Sequence, residues 1–428
     1  MSEEPAQLAG LFDGVRILEI GQFVAAPVAA QLFAHGGADV IKLEPVSGDL
    51  TRVIDPLQDR DGAVSEGRAY VVKAFGKRAI PLDLATEQGR AIAYEIAERC
   101  DVVISNLRPG TASRLGLDYE SLRQRNEALV YGEISGYGDT GPLASKPSLD
   151  LIAQSWTGLR LSNSVDGSLG HNEHYLCDYT AGLLLAFGVA AALRYREVTG
   201  LGQRVSTSLA HAGLFAQFRS ASLFESTDGW KHDVVQRRAN GESLSDVLPD
   251  RNLRAAPINF FFRSYETSDG LVSVGATGLM GQRLCELFGT VDPRRGPEWT
   301  DRGRRPELLA ETTATIAKQM AASTTLEILA LLDDAGIPAA PVRLLEELLV
   351  DPDAHAASLV FTGEHDRLGR YTLPMAPVAF SGSEYRVRPD FAAHGEHTDE
   401  LLRQLGYDEA LIDRLVADGI VARPAKDA

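Results

Sequence analysis

Alternation of strand-length apolar runs with helical patterns predicts an α/β protein, a parallel sheet covered by helices, followed by a second, smaller α+β unit. Three observations carry this prediction. Runs such as VRILEI (15–20) and ADVIKLE (38–44) have strand length and apolar character. Between them, AAPVAAQLFAHGG is rich in helix formers and closes on Gly36 and Gly37. The same alternation then recurs, and in a compact chain it implies parallel strands joined by crossover helices.

The elements follow in order. AIPLDL (79–84) reads as a strand and EQGRAIAYEIAER (87–99) as a helix with apolar residues at helical spacing; DVVISNL (101–107) and ALVYGEIS (128–135) read as two more strands. A long apolar helix is expected over roughly Thr180 to Glu197, stopped at Thr199-Gly200 and leading into the strand QRVSTSL (203–209). These make a large domain over residues 1–225. The stretch 226–257 is polar, charged and without clear periodicity, which suits a linker. A smaller α+β domain is expected over 258–350, opening with FFFRSYETSDGLVSVGA, two strands about the turn Ser268-Asp269-Gly270. Residues 351–428 carry another strand region and the helical pattern HTDELLRQLGYDEALIDRLVADG, a return segment expected to pack on the large domain.

Composition narrows the function. With 428 residues, 44% hydrophobic and 24% charged, the chain is an ordinary folded protein of about two domains. A net charge of −17 disfavours nucleic acid as a partner, so an anionic ligand has to meet a local cationic patch. No run reaches the roughly 18 apolar residues of a membrane span; the longest, Ala181 to Leu193, runs into Arg194 and Arg196 and reads as a buried helix. Met1 to Gln7 is acidic rather than basic-then-apolar, so a cytoplasmic location is expected. Cys100, Cys177 and Cys285 are widely spaced and show neither a disulfide framework nor zinc spacing. The basic run RRGPEWTDRGRR (294–305), broken by prolines, glycines and acids, reads as a solvated loop.

Several chemistries lack their motifs. There is no GxxxxGK[ST] loop, no GxGxxG (the first strand is followed by GQFVAAP), and no GxSxG elbow. His171 and His174 in HNEH sit in a glycine-rich loop segment without a matching third ligand, so no metal is expected. Cys177, with His174 three residues away, reads better as a buried structural cysteine than as a nucleophile. Asp178 stands at the mouth of the long apolar helix, where free N–H groups favour an ionised carboxylate. Its local reading is an N-cap.

The wider chain changes that reading. GADVIKLEPVSGDLTR, GKRAIPLDL, DVVISNLRPGTASRLGL, GYGDTGPLASKPSLDLIAQ, CDYTAGLLLAFGVAAALRYREVTGLGQRV and GEHTDELLRQLGY together closely resemble the class III CoA-transferase family, which includes formyl-CoA transferase, carnitine CoA-transferases and α-methylacyl-CoA racemase. The resemblance runs from about Leu11 to Val421, in the family's order and spacing. It implies a Rossmann-like large domain built from both chain ends, a small domain between them, and two subunits threaded as linked rings in a homodimer. It implies an acyl-CoA and a carboxylic acid as substrates, with coenzyme A as a substrate and product rather than a resident cofactor. The Asp matching Asp178 attacks the thioester, giving an aspartyl mixed anhydride and then an aspartyl-CoA thioester. A carboxylate with a reference pKa of about 4 is already anionic at neutral pH and needs no general base.

The positions matching the family's CoA contacts are Val24, Ala25, Leu82, Asn106, Leu107, Arg108, Arg114 and Lys146, the last three cations being candidates for the local basic patch. Departures are also visible. Val24 replaces an assisting Gln of formyl-CoA transferase, Pro45 and Ala85 replace a CoA-contacting Arg and Lys, and its glycine-rich loop has no match around Leu253 to Phe262. These argue against formyl-CoA and oxalate as the substrate pair. Phe260 to Phe262 read as core strand or pocket wall. Racemase members pair the Asp with a His where this chain has Leu149, and leucine is neither acid nor base. Asp150 follows it, as an acid does in transferases, and is a candidate assisting residue. A non-catalytic CoA-binding subunit of a hetero-oligomer is a further alternative.

Overall fold

The structure, a computed structural model, describes residues 10–162, 174–255, 261–301, 303–388 and 390–424. Their backbone falls into two compact units, one of 10–162, 174–222 and 355–424, the other within 223–354.

The larger unit is built on six parallel strands: β1 (Arg16–Ile20), β2 (Asp39–Glu44), β3 (Lys77–Pro81), β4 (Val102–Ser105), β5 (Val130–Ser135) and β6 (Arg204–Ser208). Their spatial order is β3-β2-β1-β4-β5-β6, with Leu18 facing Ile41 on one side and Val103 on the other. Six helices frame the site: α1 (Ala25–His35), α2 (Glu87–Glu98), α3 (Pro109–Leu115), α4 (Asp150–Trp156), α5 (Leu176–Thr199) and α6 (Leu209–Phe215). Parallel strands are covered on both faces, which explains their continuous apolar runs. Ile17, Val40, Val102, Ile104 and Val130 pack with α1 and α5 on one face. Leu18, Ile41, Leu43, Ile80 and Val103 pack with α2 on the other. The C-terminal helices Thr398–Leu405 and Glu409–Ala417 join that second core through Leu401, Leu402, Ile412 and Leu415, with Gly406 in the left-handed conformation (φ 98°) between them.

α5 is apolar on all sides but uses one side for the core. Cys177, Ala181, Leu185, Val189 and Ala192 are buried at helical spacing, whereas Tyr179, Leu183 and Phe187 on another face are exposed. Gly182 allows a close approach to α1, because a Cβ there would lie 2.8 Å from the Ala25 carbonyl oxygen. A buried ion cluster ties β1, β2 and β3 together: the Glu19 carboxylate meets Lys42 Nζ at 2.9 Å and Lys77 Nζ at 2.6 Å, and Lys42 also pairs with Asp49 at 2.9 Å. Burial alone pushes Glu19 up, but the two ammonium groups outweigh it and hold its carboxyl below the usual range.

In the smaller unit three antiparallel strands (Phe262–Glu266, Leu271–Gly275 and Ala339–Pro341) pack with helices around Tyr265, Val272, Leu284, Ile316 and Leu332. Phe261 belongs to this core and Phe262 is exposed, while Phe260 lies outside the described residues. The stretch read as a linker, 226–257, instead carries two helices, Gly229–Ala239 and Leu244–Ala255, and falls with this unit. The first of them buries no residue in the chain, so nothing required an apolar stripe and the sequence shows none.

Candidate active site

In an open parallel sheet, ligands bind where the chain leaves neighbouring strands in opposite directions, at their carboxyl ends. Here that point lies between β1 and β4. The segments following these strands are locked together: Gln22 N–H donates to Asn106 Oδ1 at 3.0 Å, and Asn106 Nδ2 donates to the Gln22 carbonyl at 2.8 Å. Phe23 then takes a left-handed conformation (φ 63°), an uncommon state for a bulky residue and one that turns the chain directly into α1.

A cavity of about 410 Å³ opens at this crevice, and Gln22, Phe23, Ala25, Asn106, Leu107, Arg108, Lys146, Leu149 and Asp178 are among its walls. A second cavity of about 430 Å³ shares Gln22 and Leu107 with it and is otherwise lined largely by Ile20, Leu43, Pro45, Leu82, Leu84 and Ala85. The fold thus brings together Ala25, Asn106, Leu107, Arg108, Lys146 and Asp178, with Leu82 next door. Val24 is buried as the residue preceding α1, and Arg114, exposed in the last turn of α3, lines neither cavity. Arg108 and Lys146 are exposed and have no ion-pair partner among the described residues. Gln22 and Phe23 were not singled out from sequence. Their signal is their place, immediately after the first strand, where this architecture builds its sites.

Asp178 is not the helix cap. α5 starts earlier than its apolar run suggests, the cap position is Tyr175 with no side-chain cap, and Asp178 is the third helical residue. The terminal N–H of Asp178 is satisfied from another helix: Asp150, buried at the start of α4, accepts it through Oδ1 at 3.0 Å. Asp150 is itself held by a short bond from Gln154 Nε2, which also donates to the His174 carbonyl at 3.1 Å. The Asp178 carboxylate accepts no hydrogen bond from the described residues and lines the cavity. Burial, then the neighbouring Asp150 charge, push its pKa up to about 7, against a smaller opposing pull from Lys73. The sequence expectation of an ordinary, freely ionised carboxylate is therefore modified: burial and the Asp150 charge oppose its ionised form.

Cys177 takes the inert role. It is buried against α6, where a Cβ at Gly213 would come within 3.1 Å of its Sγ, and burial, followed by Asp150 and Asp178, pushes its thiol up to about 12. His174 is exposed, and His171 of the HNEH segment lies outside the described residues. Among the described residues no group of three His, Cys, Asp or Glu side chains is arranged to hold a metal ion.

Fold and site together define an α/β protein with a cavity at the switch point of its parallel sheet, lined by the carboxylate of Asp178 and by Arg108 and Lys146. The model of CoA-transferase family III matches residues 12–398, and the chain belongs to that family. Among its relatives are a succinyl-CoA:mesaconate CoA-transferase of Haloarcula marismortui (31% identical, covering 93% of this chain and 97% of the relative) and a cinnamoyl-CoA:phenyllactate CoA-transferase of Clostridium sporogenes (28%, covering 95% and 96%). A formyl-CoA:oxalate CoA-transferase of Streptomyces coelicolor is 28% identical, covering 96% of this chain and 100% of that one. A solved CaiB/BaiF family protein from Brucella suis superposes with a TM-score of 0.72 at 25% identity, covering 93% of this chain and 100% of the other. The protein is a family III CoA-transferase.

Proposed function

We propose that the protein moves coenzyme A from an acyl-CoA donor to a carboxylic acid acceptor through covalent intermediates on Asp178. One observation carries this reading: the Asp178 carboxylate faces the cavity without a hydrogen-bond partner among the described residues, Asp150 having taken over the helix terminus. An Asp178 oxygen attacks the thioester carbonyl carbon, the C–S bond breaks, and CoA leaves as thiolate. The thiolate then attacks the Asp178 carbonyl of the mixed anhydride, releasing the donor acid and forming an aspartyl-CoA thioester. The acceptor carboxylate repeats the exchange and departs as its CoA ester, restoring Asp178. A carboxylate raised to about 7 is a stronger nucleophile once ionised than an ordinary aspartate, and it remains available at neutral pH.

Arg108 and Lys146, without carboxylate partners among the described residues, supply cationic character for the diphosphate, and the Asn106-Leu107 segment with Ala25 shapes the entry for the pantetheine arm. Proton transfer at the α-carbon is disfavoured because Leu149 lines the cavity and no described wall residue is a histidine. The exposed face of α5, with Tyr179, Leu183 and Phe187, supports a homodimer in which a second copy covers it. Three buried, unpaired cysteines fit a reducing, cytoplasmic setting.

Incubation with a panel of acyl-CoA donors, succinyl-CoA and acetyl-CoA first, should leave a CoA adduct on the Asp178 peptide by mass spectrometry, absent in Asp178→Ala. No adduct from any donor in a broad panel overturns the mechanism.

A further inference from the structure

The cavity adjoining the Asp178 cavity poses a charge problem. Its walls are mostly apolar, and its one charged lining residue, Asp83, already accepts the Ala85 N–H at 2.9 Å. Such walls suit a flat heteroaromatic ring. In coenzyme A, however, the ring lies next to a ribose 3′-phosphate, a monoester that carries most of two negative charges at neutral pH. None of the walls offers it a cation, since Pro45 and Ala85 stand there instead.

Arg90, the fourth residue of α2, is not itself a wall residue but is bonded to the wall. A helical side chain leans back toward its N-terminus, and here that carries the guanidinium over the loop preceding the helix. Its Nη1 donates to the carbonyls of Leu84 at 3.0 Å and Ala85 at 2.9 Å, both residues of the cavity wall. These partners are neutral. Nε and Nη2 donate to nothing, and no carboxylate pairs with Arg90, among the described residues. The side chain is half-buried and so partly ordered before any ligand arrives. In a chain where 59 acidic residues outnumber 42 basic ones, a guanidinium bonded to two wall residues of the cavity and paired with no acid among the described residues is a cation suited to an external anion.

We propose that Arg90 binds the 3′-phosphate of coenzyme A and makes this protein distinguish CoA thioesters from their 3′-dephosphorylated forms. The inference rests on the CoA-transfer reading above. Two free N–H groups on a fixed fork match two phosphate oxygens, a contact that a single ammonium group reproduces only in part.

Calorimetric titration of the full-length protein with CoA and with 3′-dephospho-CoA tests it without requiring the substrate acids. The wild-type chain should bind CoA about tenfold more tightly than dephospho-CoA, the scale of one charge-assisted contact. Arg90→Gln should bind the two equally, at the wild-type affinity for dephospho-CoA, and Arg90→Lys should keep part of the preference. Unchanged dephospho-CoA binding also shows that the variant is folded. A preference that survives in Arg90→Gln, or a wild-type protein without one, overturns the assignment while leaving CoA transfer in place. Failure of the wild type to bind either compound overturns the CoA-transfer reading itself.

Discussion

The Asp178 carboxylate is left open to the cavity while Asp150 does the work a terminal aspartate usually does for its own helix. The consequence is electrostatic, since two carboxylates share a buried corner and Asp178, the one open to the cavity, is held near 7 by burial and by Asp150. Below that pH the group is neutral and cannot attack, so single-turnover kcat/KM should rise with pH and level off above an apparent pKa near 7. Asp150→Asn keeps an oxygen for the Asp178 N–H but removes the like charge. The acid limb should therefore move to lower pH in that variant; a limb that stays in place would show that Asp150 does not set it. Little of this was legible in sequence. Asp178 and Asp150 are 28 residues apart, and the bond joining them depends on how α4 meets the start of α5.

At the scale of elements, the position of Asp178 depends on how closely α5 lies against α1. Gly182, one turn beyond Asp178, is the contact that permits it, with Ala25 O and Val28 on the other side. Gly182→Ala forces the helices apart, because the clash is with backbone that cannot rotate away, and overpacking of this kind costs about 1–3 kcal/mol. A thermal midpoint lowered by several degrees, with kcat reduced more than KM, is the expected outcome; unchanged kcat would mean that α5 absorbs the methyl without moving Asp178. The strands and the principal helices were readable from periodicity, since a parallel sheet covered on both faces leaves strong apolar runs. The helix Gly229–Ala239 was not, because it buries nothing within the chain and so carries no stripe to detect. The start of α5 was placed too late for a related reason: its first residues, Leu176 to Tyr179, include polar and aromatic side chains whose helical state is settled by the cap from α4.

For the whole molecule, the exposed face of α5 is the feature that a single chain leaves unexplained. Leu176–Thr199 has the length and apolarity of a membrane span, yet its buried side packs on the sheet, and Phe187 on the other side is 75% exposed. A second copy covering that face predicts a solution mass twice the 46.2 kDa of the chain by light scattering at micromolar concentration, and a shift toward monomer in Phe187→Glu. A monomeric wild type would remove the dimer from the proposal. The sequence by itself determined the α/β alternation, the family, and several of the residues that line the switch-point cavity, because hydrophobic period and chain-long motif order are properties of a linear string. Tertiary structure decided the state of those residues: which carboxylate is spent on a helix terminus and which is open, how far burial raises the latter, and which arginine stands beside a cavity without a cation of its own. Those outcomes depend on desolvation and on distances between segments far apart in the chain, which only the packed fold sets.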